Sequence, residues 1–125
     1  MILFTDDDAD ILILYQMMMR RLKMPALYTP DGVEALTICR SQPICLVVSD
    51  VNKRGMNGLA LLDALRADPI TCHIPLMFVS ATDDYHYRHE MGYSQAADDF
   101  LAKPFEPAVL QQKINALLTP ACPLG

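Results

Sequence analysis

Five polar side chains in this sequence stand where they could do chemistry together. Asp6 and Asp7, Asp50, Ser80 and Lys103 each close, or directly follow, a short apolar run of the kind that forms a β-strand. Three carboxylates, a hydroxyl and an ammonium would then meet at one edge of one sheet. That set suits binding a divalent cation and accepting a phosphoryl group on a carboxylate, with Asp50 as the acceptor.

Each residue also has a plainer reading to weigh. An acidic residue before a helix caps it and is stabilised by the helix dipole, which accounts for Asp8 or Asp10. Capping needs one carboxylate and leaves Asp6 and Asp7 unexplained. Two carboxylates held close repel unless a cation or a proton separates them, so Asp6 and Asp7 are expected to bind a hard cation, magnesium being the natural candidate. Asp50 ends the most apolar run in the chain, where an ionised group is costly without partners. The segment after it, VNKRGMNG (51–58), carries glycines that let the backbone turn close to whatever Asp50 holds, and the Asn52 carbonyl could add a metal oxygen. Small Ala81 after Ser80 would leave access for an incoming group. Lys103 precedes Pro104, making theirs the peptide bond most apt to be cis.

The elements that must position these residues are legible as alternating patterns. MILFT (1–5), ALYT (26–29), ICLVVS (44–49), PLMFVS (75–80) and DFLA (99–102) read as strands, the third and fourth apolar on both faces. Continuous apolarity is what a parallel sheet covered by helices on both sides requires. Helix candidates lie at 9–23, 31–41, 58–67, 83–92 and 106–118. The last places Val109, Leu110, Ile114, Leu117 and Leu118 on one face, with Pro107 in its first turn. Met17, Met18 and Met19 read as packing, with Met18 on the Leu14 and Leu22 stripe. Five βα units in succession predict an α/β fold with a doubly wound, five-stranded parallel sheet and helices on both faces. In such sheets the ligand site lies beyond the carboxyl ends of the strands, where the strand order reverses.

Composition bounds the rest. The chain has 125 residues, and 52% are apolar, enough for one domain with its own core. The apolar stretch from Ile11 to Met19 is too short to span a bilayer, and no signal-peptide layout precedes it. A cytoplasmic protein without membrane contact is therefore expected. A net charge of −5 argues against direct nucleic-acid binding by this domain. Cys39, Cys45, Cys72 and Cys122 show no metal-binding spacing and read as buried, reduced thiols. His86 and His89 read as exposed residues one helical turn apart.

Taken in order, ILFTDDDADI (2–11), LVVSDVNKRGMNGLALL (46–62), IPLMFVSAT (74–82) and ADDFLAKPF (97–105) make the chain resemble a receiver domain of two-component response regulators over essentially its whole length. The resemblance implies a flavodoxin-like strand order 2-1-3-4-5. It implies that Asp50 is the phosphoacceptor and that Asp6, Asp7, Asp50 and the Asn52 carbonyl hold Mg²⁺. Ser80 and Lys103 would contact the phosphoryl oxygens, and Phe100 would be the aromatic switch residue. Asn52 and Thr82 would tune the lifetime of the phosphorylated form. The donor would be a sensor histidine kinase or a phosphotransfer protein. The domain would be a regulatory phosphoacceptor, a slow catalyst only of its own phosphorylation and dephosphorylation. Its output surface, formed by the 83–92 helix, the fifth strand and the last helix, would act on an effector domain or output protein, or mediate a dimer. The domain would span 1–119, with 120–125 a tail or the start of a linker. Lys53, Arg54 and Ala96 depart from the usual receiver pattern without removing a reactive group. Two rivals remain at this point: a receiver-shaped scaffold that is never phosphorylated, and a haloacid-dehalogenase-like phosphatase, whose nucleophile motif Asp6-x-Asp8 superficially matches.

Overall fold

Short, densely apolar strands between amphipathic helices leave little choice of architecture. A computed structural model describes residues 1–51, 58–81 and 99–118, apart from the side chains of Ser80 and Ala81. The strands are β1 (Ile2–Thr5), β2 (Ala26–Thr29), β3 (Leu46–Ser49), β4 (Leu76–Ala81) and β5 (Asp99–Lys103). They form one parallel sheet in the order 2-1-3-4-5. The described helices are α1 (Ala9–Leu22), α2 (Gly32–Ser41), α3 (Gly58–Ala67) and α4 (Pro107–Leu117). The 83–92 helix candidate, with His86 and His89, lies outside the described residues, as do Lys53, Arg54 and Ala96.

Alternation along each strand sorts the core into two layers. Ile2 and Phe4 of β1, Leu46 and Val48 of β3, and Met77 and Val79 of β4 pack with Leu12, Tyr15 and Met19 of α1 and Leu110 and Ile114 of α4. Leu3, Val47, Leu76 and Phe78 face the other way, against Ala35 and Cys39 of α2 and Leu61, Leu62 and Leu65 of α3. Both faces are thus buried, which is why β1 and β3 contain no exposed residue.

Helix ends follow local chemistry. The Asp8 side chain accepts from the Asp10 amide and starts α1, and Asp31 does the same from Val33 for α2. Capping therefore falls to Asp8, while Asp10 sits in the first turn. α4 begins with Pro107 after Glu106.

Some expectations need correction. Val109 is 36% exposed and lies off the buried face of α4, which Leu110 and Ile114 define. Within the methionine run Met19 is the buried member, Met18 packs only partly against the same layer, and Met17 is exposed, because successive helical residues are rotated by about 100°. Among the described cysteines only Cys39 fits the reading of buried, reduced thiols: Cys72 is free but exposed, in the turn after α3, and Cys45 is disulfide-bonded, while Cys122 lies outside the described residues.

Gly58 marks a close approach of α3 to the chain leaving β3. Its amide donates to the Val51 carbonyl at 2.8 Å. A Cβ there would overlap the Asp50 carbonyl oxygen and stand 2.8 Å from the Phe78 ring and 2.9 Å from the Val51 Cα. Gly58→Ala is therefore expected to destabilise the fold by about 3 kcal/mol, measured by urea unfolding, because backbone cannot give way as a flexible side chain can.

Candidate functional site

Strand register does the first part of the positioning. β1 and β3 pair from Ile2↔Leu46 to Thr5↔Ser49, so the next residues, Asp6 and Asp50, leave the sheet side by side. The Asp50 amide donates to the Thr5 carbonyl at 3.1 Å, extending that pairing by one step. By alternation Asp6 continues the Ile2 and Phe4 row, and Asp50 the Leu46 and Val48 row. Both carboxylates therefore rise on the side of the sheet that α1 and α4 cover.

Asp6 is 1% exposed and Asp50 9%, so their charges need compensation. The Asp6 Oδ1 accepts from the Asp8 amide at 2.9 Å. Its Oδ2 accepts from the Lys103 Nζ at 3.0 Å, and the same ammonium stands 3.5 Å from the Asp50 Oδ2. Burial alone would lower the Lys103 pKa, but the hydrogen bond and charge of Asp6 and the charge of Asp50 outweigh it, and the net shift is upward. Lys103 is accordingly held as a cation between two carboxylates.

Carboxylate oxygens of Asp6, Asp7 and Asp50 all lie within 4.8 Å of one another, with Asp7 exposed at the rim. Three carboxylates against one ammonium leave a formal excess of two negative charges. That excess, offered by hard oxygen ligands, matches one divalent cation such as Mg²⁺. The donor set present therefore fits the metal expected from the sequence.

Ser80 and Ala81 close β4, where their backbones pair with Ala102 and Lys103. Their side chains, and Asn52 and Thr82 entirely, fall outside the described residues. Phe100 is buried in the layer beneath α2 and α3, edge-on to Phe78 with ring centroids 5.9 Å apart. It thus sits on the sheet face opposite the carboxylates. Lys103–Pro104 is cis, as the sequence suggested.

One feature near the site was not legible in the sequence. Tyr28, Phe4, Tyr15 and Phe105 form a continuous row of stacked rings, with centroids 5.5, 4.5 and 6.3 Å apart in turn. These residues come from β2, β1, α1 and the segment between β5 and α4. No local spacing connects them, so only the folded chain reveals the row.

The family model for the response regulator receiver domain matches residues 2–115. The DNA-binding response regulator MtrA of Mycobacterium tuberculosis strain H37Rv is 32% identical over 117 residues, which cover 94% of this chain and 50% of that protein. This chain thus spans about half the length of the curated relatives it matches. Among solved structures, the receiver domain of Francisella response regulator 1452 is 28% identical, with a TM-score of 0.81 over 93% of each chain. The receiver domain of the sensor histidine kinase PA1611 from Pseudomonas aeruginosa PAO1, solved with a magnesium ion in its active-site cleft, has a TM-score of 0.84 at 22% identity, covering 93% of this chain and 94% of that one. At that identity the likeness speaks for the fold. Since the family match takes in all five strands and the acidic crest, and the MtrA alignment runs nearly the whole length, this chain belongs to the receiver-domain family of two-component response regulators.

Proposed function

We propose that this domain is a phosphorylation-dependent switch in which Asp50 accepts a phosphoryl group from a phosphohistidine on a sensor histidine kinase or phosphotransfer protein. The observation that carries this reading is the Lys103 ammonium held 3.0 Å from Asp6 and 3.5 Å from Asp50, a cation placed beside the acceptor before any substrate arrives. One Asp50 oxygen attacks phosphorus, a P–O bond forms, and the P–N bond breaks with the electron pair returning to the imidazole. Lys103 offsets charge on the transferring oxygens without having to move into place. Asp6, Asp7, Asp50 and the Asn52 carbonyl would hold Mg²⁺. Bound there, the ion supplies Lewis-acid charge neutralisation of the phosphoryl oxygens. Ala81 leaves access for the phosphoryl group, and Ser80 hydrogen-bonds it. Asn52 and Thr82 tune the lifetime of the phosphorylated form.

Output follows as a population shift. The acyl phosphate brings roughly −1.5 to −2 charge to the crest, by analogy with phosphoserine. Ser80 turns toward it, Phe100 repacks as the aromatic switch, and the surface of the 83–92 segment, β5 and α4 re-forms for an effector domain, an output protein or a second copy. The domain occupies 1–119, with 120–125 as tail or linker, acts in the cytoplasm and does not itself bind nucleic acid. Among the described residues no helix is long and apolar enough to cross a membrane.

Mapping the acyl phosphate after incubation with acetyl phosphate and Mg²⁺ tests this directly. Label is expected on Asp50, and Asp50→Asn abolishes it. Label on Asp6 would indicate the phosphatase chemistry instead, and no label the unphosphorylated scaffold. Chelation by EDTA is expected to stop labelling, and Asp7→Asn to weaken Mg²⁺ binding in a titration. Lys103→Met should slow labelling roughly a hundredfold, the scale seen when one preorganised charge-stabilising group is removed.

Lys103 also predicts a pH dependence. Its folded pKa is raised above the ordinary 10.5, so its pairing stabilises the fold fully below that value and is lost as pH climbs through the raised one. The difference in unfolding free energy between wild type and Lys103→Met is expected to be constant near neutrality and to change only in strongly alkaline solution, as read by urea unfolding across that range.

A further inference from the structure

Lys103 belongs to β5, the edge strand, while Asp6 follows β1, three strands away. Neighbouring strands are about 4.8 Å apart, so a flat sheet would separate these two backbones by about 14 Å, beyond the combined reach of a lysine and an aspartate. Register makes the gap longer still. Ser49 pairs with Phe78, which places Asp50 level with Val79, and Val79 pairs with Leu101. Lys103 therefore begins two residues, or about 6.6 Å, beyond the level of Asp50. The observed 3.0 Å contact therefore depends on the twist of the sheet and on how the end of β5, still paired with β4 at Ala81, is held.

The ring row spans that same gap. Phe4 belongs to β1, two residues before Asp6, and stacks on Tyr15 of α1 at 4.5 Å. Tyr15 in turn lies nearly parallel to Phe105, two residues beyond Lys103, at 6.3 Å and 11°. The Lys103–Phe105 turn also borders a groove of about 350 Å³ that it shares with Ile11 and Leu14 of α1. Phe105 packs partly buried against the core layer to which Phe4 and Tyr15 belong. Tyr15 itself is 1% exposed and cannot swing away from Phe4 without opening the core.

We propose that the Tyr15 ring is a positioning residue for Lys103, holding the β5 end over the acidic crest by stacking between Phe4 and Phe105. The role rests on the reading of Lys103 as the phosphoryl-binding cation and names what puts it there. The ring carries the effect and the hydroxyl does not, since the Tyr15 hydroxyl makes no hydrogen bond to any described residue. Burial, with the charges of Asp6 and Asp50 adding to it, pushes the phenol far above its ordinary pKa, so it stays neutral and contributes no charge of its own.

The test compares Tyr15→Phe, Tyr15→Leu and Phe105→Leu in the full chain. Two readouts are used: the hydrogen-bonded Lys103 ammonium signal in ¹H–¹⁵N spectra, and the labelling rate with acetyl phosphate and Mg²⁺. Tyr15→Phe is expected to keep both. Tyr15→Leu should lose the ammonium signal and slow labelling at saturating donor at least about tenfold, as misplacing a reacting group does. Phe105→Leu, on the partly buried loop, should reproduce that loss should Tyr15→Leu fail to fold, and the two changes combined should be no worse than either alone. A folded Phe105→Leu or Tyr15→Leu protein that retains the ammonium signal overturns the proposal, as does a Tyr15→Phe protein as impaired as Tyr15→Leu. The ammonium signal needs no phosphorylation, so a wild type that never labels Asp50 would refute the switch while leaving this positioning role to be decided separately.

Discussion

Like charges crowded onto adjacent parallel strands are the constraint on which this structure turns. The β1–β3 register leaves Asp6 and Asp50 next to each other at the sheet's carboxyl edge, nearly sealed from water. Neither neighbour can be ionised there without a counter-charge, and Lys103 supplies one positive charge to both. With Asp7 added, the remaining imbalance equals the charge of one divalent ion. The crest is thus electrostatically incomplete in a specific way, and the chemistry proposed for it consists of completing that balance and then upsetting it again with a phosphoryl group.

Holding such a site demands a stiff foundation, and the two apolar layers provide one. Below the carboxylates, Phe4 and Val48 continue the Asp6 and Asp50 rows into the layer under α1 and α4. On the reverse face Phe78 and Phe100 meet edge-on under α2 and α3. A change at the crest can therefore reach the two faces through different side chains of the same strands. That division is what the proposed switch would use, with Lys103 on one face and Phe100 on the other.

Receiver domains share this core across many outputs, so the fold by itself does not choose among them. MtrA is a DNA-binding regulator by name, but this chain spans half its length and carries a net charge of −5. Among the described residues the site at the sheet's edge is an acidic cluster of Asp6, Asp7 and Asp50.

Much of the fold could be read directly. Uninterrupted apolarity at 44–48 and 76–79 meant strands buried on both faces, and parallel strands in turn required crossover helices; the described helix ends fall within a residue of the patterns. Asp6, Asp50 and Lys103 were recognisable because polar groups at the ends of apolar strands have to be accounted for. What the sequence by itself determined, then, is the set of elements, their parallel pairing and the edge at which the charged residues emerge, since these follow from periodicity and the cost of burying charge. The tertiary structure alone decided how an edge-strand lysine comes to lie 3.0 Å from a carboxylate three strands away, which helical residues reach the core in the methionine run, and that rings from four separate segments stack in one row. Those outcomes depend on sheet twist and long-range packing, for which local sequence carries no periodic signal.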